Sequence, residues 1–340
     1  MSTSNEEPYP IENYAKSCSA KFNTLHENLF YGFQVLYLVP TLALLIWILV
    51  TIRVRYWDNY RKLLWFWIFS MDCIASIVLI LLDLFITRLF LYFPQLCPFF
   101  SQIFKDYPLI NHIYFPLYNY VRAIKPVIQC ALAFVRLLSV SSLGTLKSME
   151  HLSKIYKYIT IICLIPFLVI WNTIISEKEV VFWRGGFFII YHRYISWASL
   201  SILHLFFLTT ALIFILIICL CAHFQKSLTD DCDGYKRVMV VTTAFVVLGF
   251  LLQAGFQCYY ALFRHAKWFP SQLVDYQFLI YDFLTVGTPL VVISTASRFR
   301  EHLIPKTKKQ TIEFHELRER KKSSDSKQSE ECSDEESGKV

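Results

Sequence analysis

The chain is 340 residues long, 55% hydrophobic and 17% charged, with a formal net charge of +7. A soluble globular domain carries about 25% charged residues, so this chain has too little polar surface to meet water all round, and its apolar runs read as membrane spans. The basic residues lie between those runs and just after the last, which points to lipid headgroups and topology and away from nucleic acid.

A helix needs roughly 20 residues to cross about 30 Å of hydrocarbon. A polar leader occupies 1–28. Seven runs of spanning length follow, at 29–52, 63–87, 113–143, 155–175, 195–222, 238–263 and 273–296. Barrel strands would alternate apolar and polar over about ten residues. These runs are continuous, as in Leu42-Ala43-Leu44-Leu45-Ile46-Trp47-Ile48-Leu49-Val50, and in lipid a continuous run must satisfy its own backbone as a helix. The expected fold is therefore all-α, a polytopic bundle of seven transmembrane helices at 29–296. Residues 297–305 then carry Phe299 and Leu303 on one helical face, as a short amphipathic helix on the inner membrane surface would, stopped by Pro305. The rest, 306–340, reads as a disordered cytoplasmic tail, Ser-, Asp-, Glu- and Lys-rich beyond 321.

Orientation follows from Lys and Arg near the span ends. Fifteen lie on the side of the first inter-span loop and the C-terminal tail. Nine, Arg88 among them, lie on the other. The bias puts the tail in the cytoplasm and, with seven spans, the N-terminus outside.

Ionisable residues inside a span usually face the bundle interior or a cavity. In the third run Arg122, Lys125, Gln129 and Arg136 fall within about 60° of one another at 100° per residue, a polar stripe that turns this helix inward. Asp72 and Asp83 in the second run share a face, as do Asp275 and Asp282 in the seventh. Asp83 or Asp282 is expected to meet Arg122 or Lys125 in the outer half; the alternative is that both cations snorkel to the headgroups. Pro289, after Thr288, would remove a backbone hydrogen bond and hinge the seventh helix near its inner end.

The ten cysteines contain no CxxC pair and no two histidines stand three or four apart, so neither a metal nor another cofactor is expected. Cys18 and Cys97 are the two expected in the oxidising compartment and could tie the leader to the first outer loop. The usual receptor disulfide has no partners, because 111–120 and 176–194 contain no cysteine.

Certain segments, in this order, resemble the nematode serpentine receptors of class gamma over about 29–304. They are Arg88-Leu89-Phe90-Leu91-Tyr92-Phe93-Pro94 before Cys97-Pro98, Tyr120-Val121-Arg122-Ala123-Ile124-Lys125-Pro126, Arg136 before Ser139-Val140, and Thr288-Pro289 with Arg298 nine residues on. Val135 stands where the family often has Asn. The resemblance implies a chemosensory G-protein-coupled receptor of the plasma membrane, on sensory cilia, with a small-molecule ligand, a heterotrimeric G protein and membrane lipid as partners, acting alone or paired with a second receptor. On that reading Asp83, Arg122, Lys125, Gln129, Gln253, Gln257 and Asp282 are candidate ligand contacts. Arg136, Pro289 and Arg298 are candidates for switching and G-protein coupling. Arg122 and Lys125 hint at an anionic or carboxylate ligand, a hint that paired acids would cancel. The alternative is a transporter or channel using the charged third helix as its path, but no internal repeat is visible. Enzymatic activity is not expected, since no nucleophile–base pair or metal-ligand cluster stands out.

Overall fold

The computed structural model describes Cys18 and residues 24–61, 63–141, 152–183, 185–192, 195, 199–226, 233–263 and 273–295, without the side chains of 24, 59, 136–141, 152–154, 222–226, 233–239 and 273–274. The amphipathic segment 297–305, the tail 306–340, Arg298 and all of the leader before Thr24 except Cys18 lie outside the described residues.

The elements run α1 (Thr24–Arg55), α2 (Trp57–Tyr60) and α3 (Leu64–Leu82). A π-helical turn (Asp83–Arg88) and α4 (Leu89–Tyr92) continue α3, followed by α5 (Cys97–Asp106) and α6 (Pro108–Ser141). Then come α7 (Leu152–Leu164), α8 (Phe167–Ile175), β1 (Lys178–Trp183), β2 (Gly186–Tyr191), α9 (Leu200–Lys226), α10 (Asp233–Phe263) and α11 (Leu273–Thr295). Among the described residues five segments are long and apolar enough to cross a membrane: Leu25–Arg55, Leu64–Tyr92, Leu200–Cys221, Val240–Phe263 and Asp275–Thr295. A sixth span is broken. α7 and α8 meet at a 46° bend beside Pro166, which cannot donate to the preceding turn. The seventh is α6, whose 34 residues give about 50 Å of helix and whose polar residues face inward. The chain folds as a seven-span helical bundle.

The helices are longer than the apolar runs because a run measures the lipid-facing part, not the whole helix. α1 starts at Thr24, inside the leader, and α6 at Pro108, five residues before its run. α9 starts later than its run. Ser199 accepts a hydrogen bond from the Ile202 N–H at 3.3 Å, and the Tyr191 hydroxyl accepts from the Leu200 N–H at 2.6 Å. These satisfy exposed donors of the first turn.

The lower core gathers α6, α9, α10 and α11 around Ala133, Leu208, Ile215, Phe250 and Leu284. Two glycines let α10 and α11 approach closely. A Cβ on Gly249 would lie 2.3 Å from Leu284, and one on Gly287 would lie 2.1 Å from the Phe245 ring. Small residues serve membrane helix interfaces in this way.

At the other end an antiparallel hairpin, absent from the span-based reading, pairs Lys178 with Tyr191 through Trp183 with Gly186. Gly185, at φ 83°, supplies the turn conformation that a two-residue hairpin loop requires. β2 rests directly on α4: a Cβ on Gly186 would come within 2.4 Å of the backbone oxygens of Phe90 and Leu91. Phe90 and Phe187 stack at 5.0 Å beside it. Lys178 donates to the Ile174 carbonyl at 3.1 Å and to the Ser176 carbonyl, a cation on the C-terminal carbonyls of α8. Burial lowers its pKa below the ordinary lysine value. At the same end Cys18 is bonded to Cys97, with Cα atoms 5.9 Å apart, which holds the leader against the start of α5.

Candidate functional site

Arg88 is the hub of the bundle's interior, and its place follows from the π-turn. In an α-helix, residues five apart point about 140° away from each other. In a π-helix they share the i→i+5 hydrogen-bonding relation, so Asp83 and Arg88 come to one face. The Arg88 side chain is fully buried. Its Nη2 donates to Asp83 at 3.4 Å, and the two Nη groups grip Asp282 of α11 as a fork, at 2.6 and 2.8 Å. Nη1 also reaches Gln34 of α1 at 3.2 Å, and the Tyr37 hydroxyl donates to Asp282. One guanidinium thus ties α1, the α3 extension and α11. Bidentate charge-assisted contacts of this kind are the strong ones. Nearer the hairpin, the Tyr92 hydroxyl donates to Asp275 at 2.6 Å.

Deeper in the bundle, Lys125 of α6 donates to Asp72 at 2.7 Å and to Ser76 at 2.6 Å, both on α3. Gln129 donates to the same Asp72 oxygen at 2.9 Å. These contacts fix the register of α6 on α3.

Arg122 is different. No carboxylate pairs with it among the described residues. Its guanidinium lies 3.5 Å from the ring centroid of Tyr281 and 5.1 Å from that of Tyr118. The Tyr118 hydroxyl donates in turn to Asp83 at 2.6 Å, and the Tyr281 hydroxyl accepts from Gln257 at 2.8 Å. Arg122, Tyr281 and Gln257 line a cavity of about 790 Å³, its open mouth included. Its walls come from α6 (Phe115, Asn119), α9 (Leu200, His204), α10 (Tyr260), α11 (Gln277) and β2, whose residues Phe188 to Tyr191 cap it. A concave wall of aromatic and aliphatic side chains with a few polar groups is the usual character of a small-molecule site.

The expected pairing of Asp83 or Asp282 with Arg122 or Lys125 is corrected by these contacts. Both acids go to Arg88, and Lys125 goes to Asp72. The cause is the π-turn, which carries Arg88 from the span boundary to the interior. Of the seven candidate ligand contacts, Arg122 and Gln257 line the cavity. Asp83, Lys125, Gln129 and Asp282 lie in the ion networks, and Gln253 is buried outside the cavity wall. Pro289 is buried within α11, where the missing N–H leaves the Thr285 carbonyl without its helical donor. Arg136 lies on α6, its side chain outside the described residues.

Arg88, Tyr37, Tyr118, Tyr281, His204 and the hairpin were not singled out from sequence. For the hairpin a signal existed: Gly185-Gly186 between the β-prone runs Val180-Val181-Phe182-Trp183 and Phe187-Phe188-Ile189-Ile190. For Arg88 the hint was two same-run acids with no cation of their own.

Seven spans, a charged interior and a cavity lined by four helices and β2 define a polytopic helical membrane protein. The sequence comparisons narrow this. The model of the family described as Srg family chemoreceptor matches residues 31–303. The chain is 47% identical over 314 residues to serpentine receptor class gamma-7 of Caenorhabditis elegans, covering 91% of each chain. It is 35% identical over 289 residues to class gamma-3 of the same organism, covering 84% of this chain and 86% of that one. With class gamma-9 the identity is 32% over 328 residues, or 93% and 95% of the two chains. The chain belongs to the Srg family of serpentine chemoreceptors, a receptor family and not an enzymatic one.

Proposed function

We propose that the chain is a plasma-membrane chemoreceptor that binds a small molecule in the capped cavity and signals through a heterotrimeric G protein. The observation that carries this reading is the adjacency of Tyr281 and Asp282. Tyr281 faces the cavity and holds Arg122; Asp282 holds the Arg88 hub that joins three spans. A ligand that moves Tyr281 displaces the neighbouring hub residue on the same helix, seven residues before Pro289. Such a ligand shifts the bundle only by its differential affinity for two arrangements.

The hairpin end and the N-terminus face outside, and the C-terminus faces the cytoplasm. The basic-residue count supports this more strongly once Arg88 is taken out of it as a buried residue, at fifteen against eight. The Cys18–Cys97 disulfide suits an oxidising compartment. The amphipathic segment 297–305 and the tail 306–340, with Arg298 and Arg136, form the cytoplasmic coupling side; sensory cilia are the expected site, and a lipid-bound receptor pair is compatible with it. The transporter reading is not favoured, because Lys125 and Gln129 are engaged by Asp72 and do not offer a free polar path.

Calcium and cyclic-nucleotide output in cells expressing the chain with a G protein tests the proposal, screened against small volatile and carboxylate ligands beside Arg136→Ala. The expected result is a ligand response lost in Arg136→Ala at unchanged surface expression. A ligand-independent ion current without any such response contradicts it.

A further inference from the structure

We infer that the cavity takes a small organic carboxylate, held by Arg122 with its hydrocarbon body against the aromatic wall; this rests on the chemoreceptor reading above. Three cations stand within the described interior, and their partners differ. Arg88 has a carboxylate at 2.6 Å and Lys125 one at 2.7 Å. Arg122 has no carboxylate within ion-pair distance among the described residues; it rests on the Tyr281 and Tyr118 rings and also interacts with the Tyr281 hydroxyl. Its Nε is buried with no hydrogen-bond partner. An unsatisfied buried donor is uncommon and costly, the more so on a cation with no carboxylate in contact. An open guanidinium donor in a cavity wall defines what would complete it, an acceptor oxygen of the kind an anion carries.

The planar fork of a guanidinium matches a carboxylate edge, so this anion is recognised by shape as well as charge. The Tyr281 ring lies 3.5 Å from the guanidinium and the Tyr118 ring 5.1 Å, and Nε has no hydrogen-bond partner. Phe115, Phe188, Ile190 and Leu200 supply apolar wall for a hydrocarbon body. Asp83 is close enough to act on Arg122 through its charge, but it makes no ion pair with it and is held by the Tyr118 hydroxyl and by Arg88.

The test uses the full-length chain in lipid nanodiscs, with hexanoate, octanoate and phenylacetate as probes, each beside its primary amide. At least one acid is expected to bind at least tenfold more tightly than its amide. Arg122→Gln is expected to weaken that acid at least tenfold without moving the amide, and Arg122→Lys to recover part of the loss. Where Arg122→Gln does not fold, the acid–amide comparison on the unaltered chain decides. Equal binding of acid and amide, unchanged acid binding in Arg122→Gln, or no binding by any acid would each overturn the inference. A second-messenger response to an uncharged ligand keeps the receptor reading and overturns this one.

Discussion

Arg88 and Arg122 are the same residue type inside the same bundle, yet the structure treats them oppositely. Arg88 is fully buried, with two carboxylates, an amide oxygen and a tyrosine hydroxyl around it. Arg122 borders a cavity, rests on two tyrosine rings and has no acid of its own. A buried cation whose partners come from three spans holds those spans in place. A cation with no carboxylate in contact among the described residues leaves that position open to a ligand. The difference teaches that intramembrane charge alone does not mark a binding site; its pairing must be known.

The comparison is most easily broken at Arg88. Arg88→Met leaves Asp282 and Asp83 buried without their cation and should cost about 3–5 kcal/mol, read as thermal unfolding in nanodiscs and as lost surface expression. The double variant with Asp282→Leu should recover most of that loss. An Arg88→Met chain as stable as the parent would remove the hub from the account. The disulfide comes next. Cys97→Ser should cost about 2–4 kcal/mol, seen as a lower unfolding midpoint that reducing agent no longer changes.

A smaller effect sharpens the cavity side. Gly186→Ala forces a methyl against the Phe90 and Leu91 carbonyls, which belong to backbone and cannot rotate away. A loss of about 1–3 kcal/mol is expected from such overpacking, together with weaker binding of any cavity ligand because β2 forms the cap. Ligand affinity unchanged in Gly186→Ala would separate the hairpin from the site. Least of all should matter the hairpin's base, where His192 meets Glu179 at 2.8 Å with both side chains more than half exposed. His192→Ala should change stability by no more than about 1 kcal/mol.

The spans were legible because a bilayer imposes a minimum run of apolar residues, which 29–52 and 273–296 display without any knowledge of packing. The inward stripe of α6 was legible for the same reason, since charge in lipid has few places to face. Partner choice was not. Arg88 ends an apolar run, so counting basic residues assigned it to a loop; only the π-turn, a backbone irregularity with no marked sequence signal, carries it inside. Once Arg88 takes Asp83 and Asp282, Lys125 is left to Asp72 and Arg122 to the tyrosines. One local change in helix winding thus redistributes every long-range pair. The cavity was half legible: Arg122 and Gln257 were read from their spans, whereas His204 and Tyr281 looked like ordinary span residues.

On these contacts Arg88 serves the fold and Arg122 serves a ligand. Thermal unfolding of Arg88→Gln and Arg122→Gln side by side in nanodiscs, without ligand, tests this division most directly. A drop of several kcal/mol for Arg88→Gln is predicted, against a change within about 1 kcal/mol for Arg122→Gln. Equal losses in the two variants would contradict it, because Arg122 would then be a structural cation like Arg88.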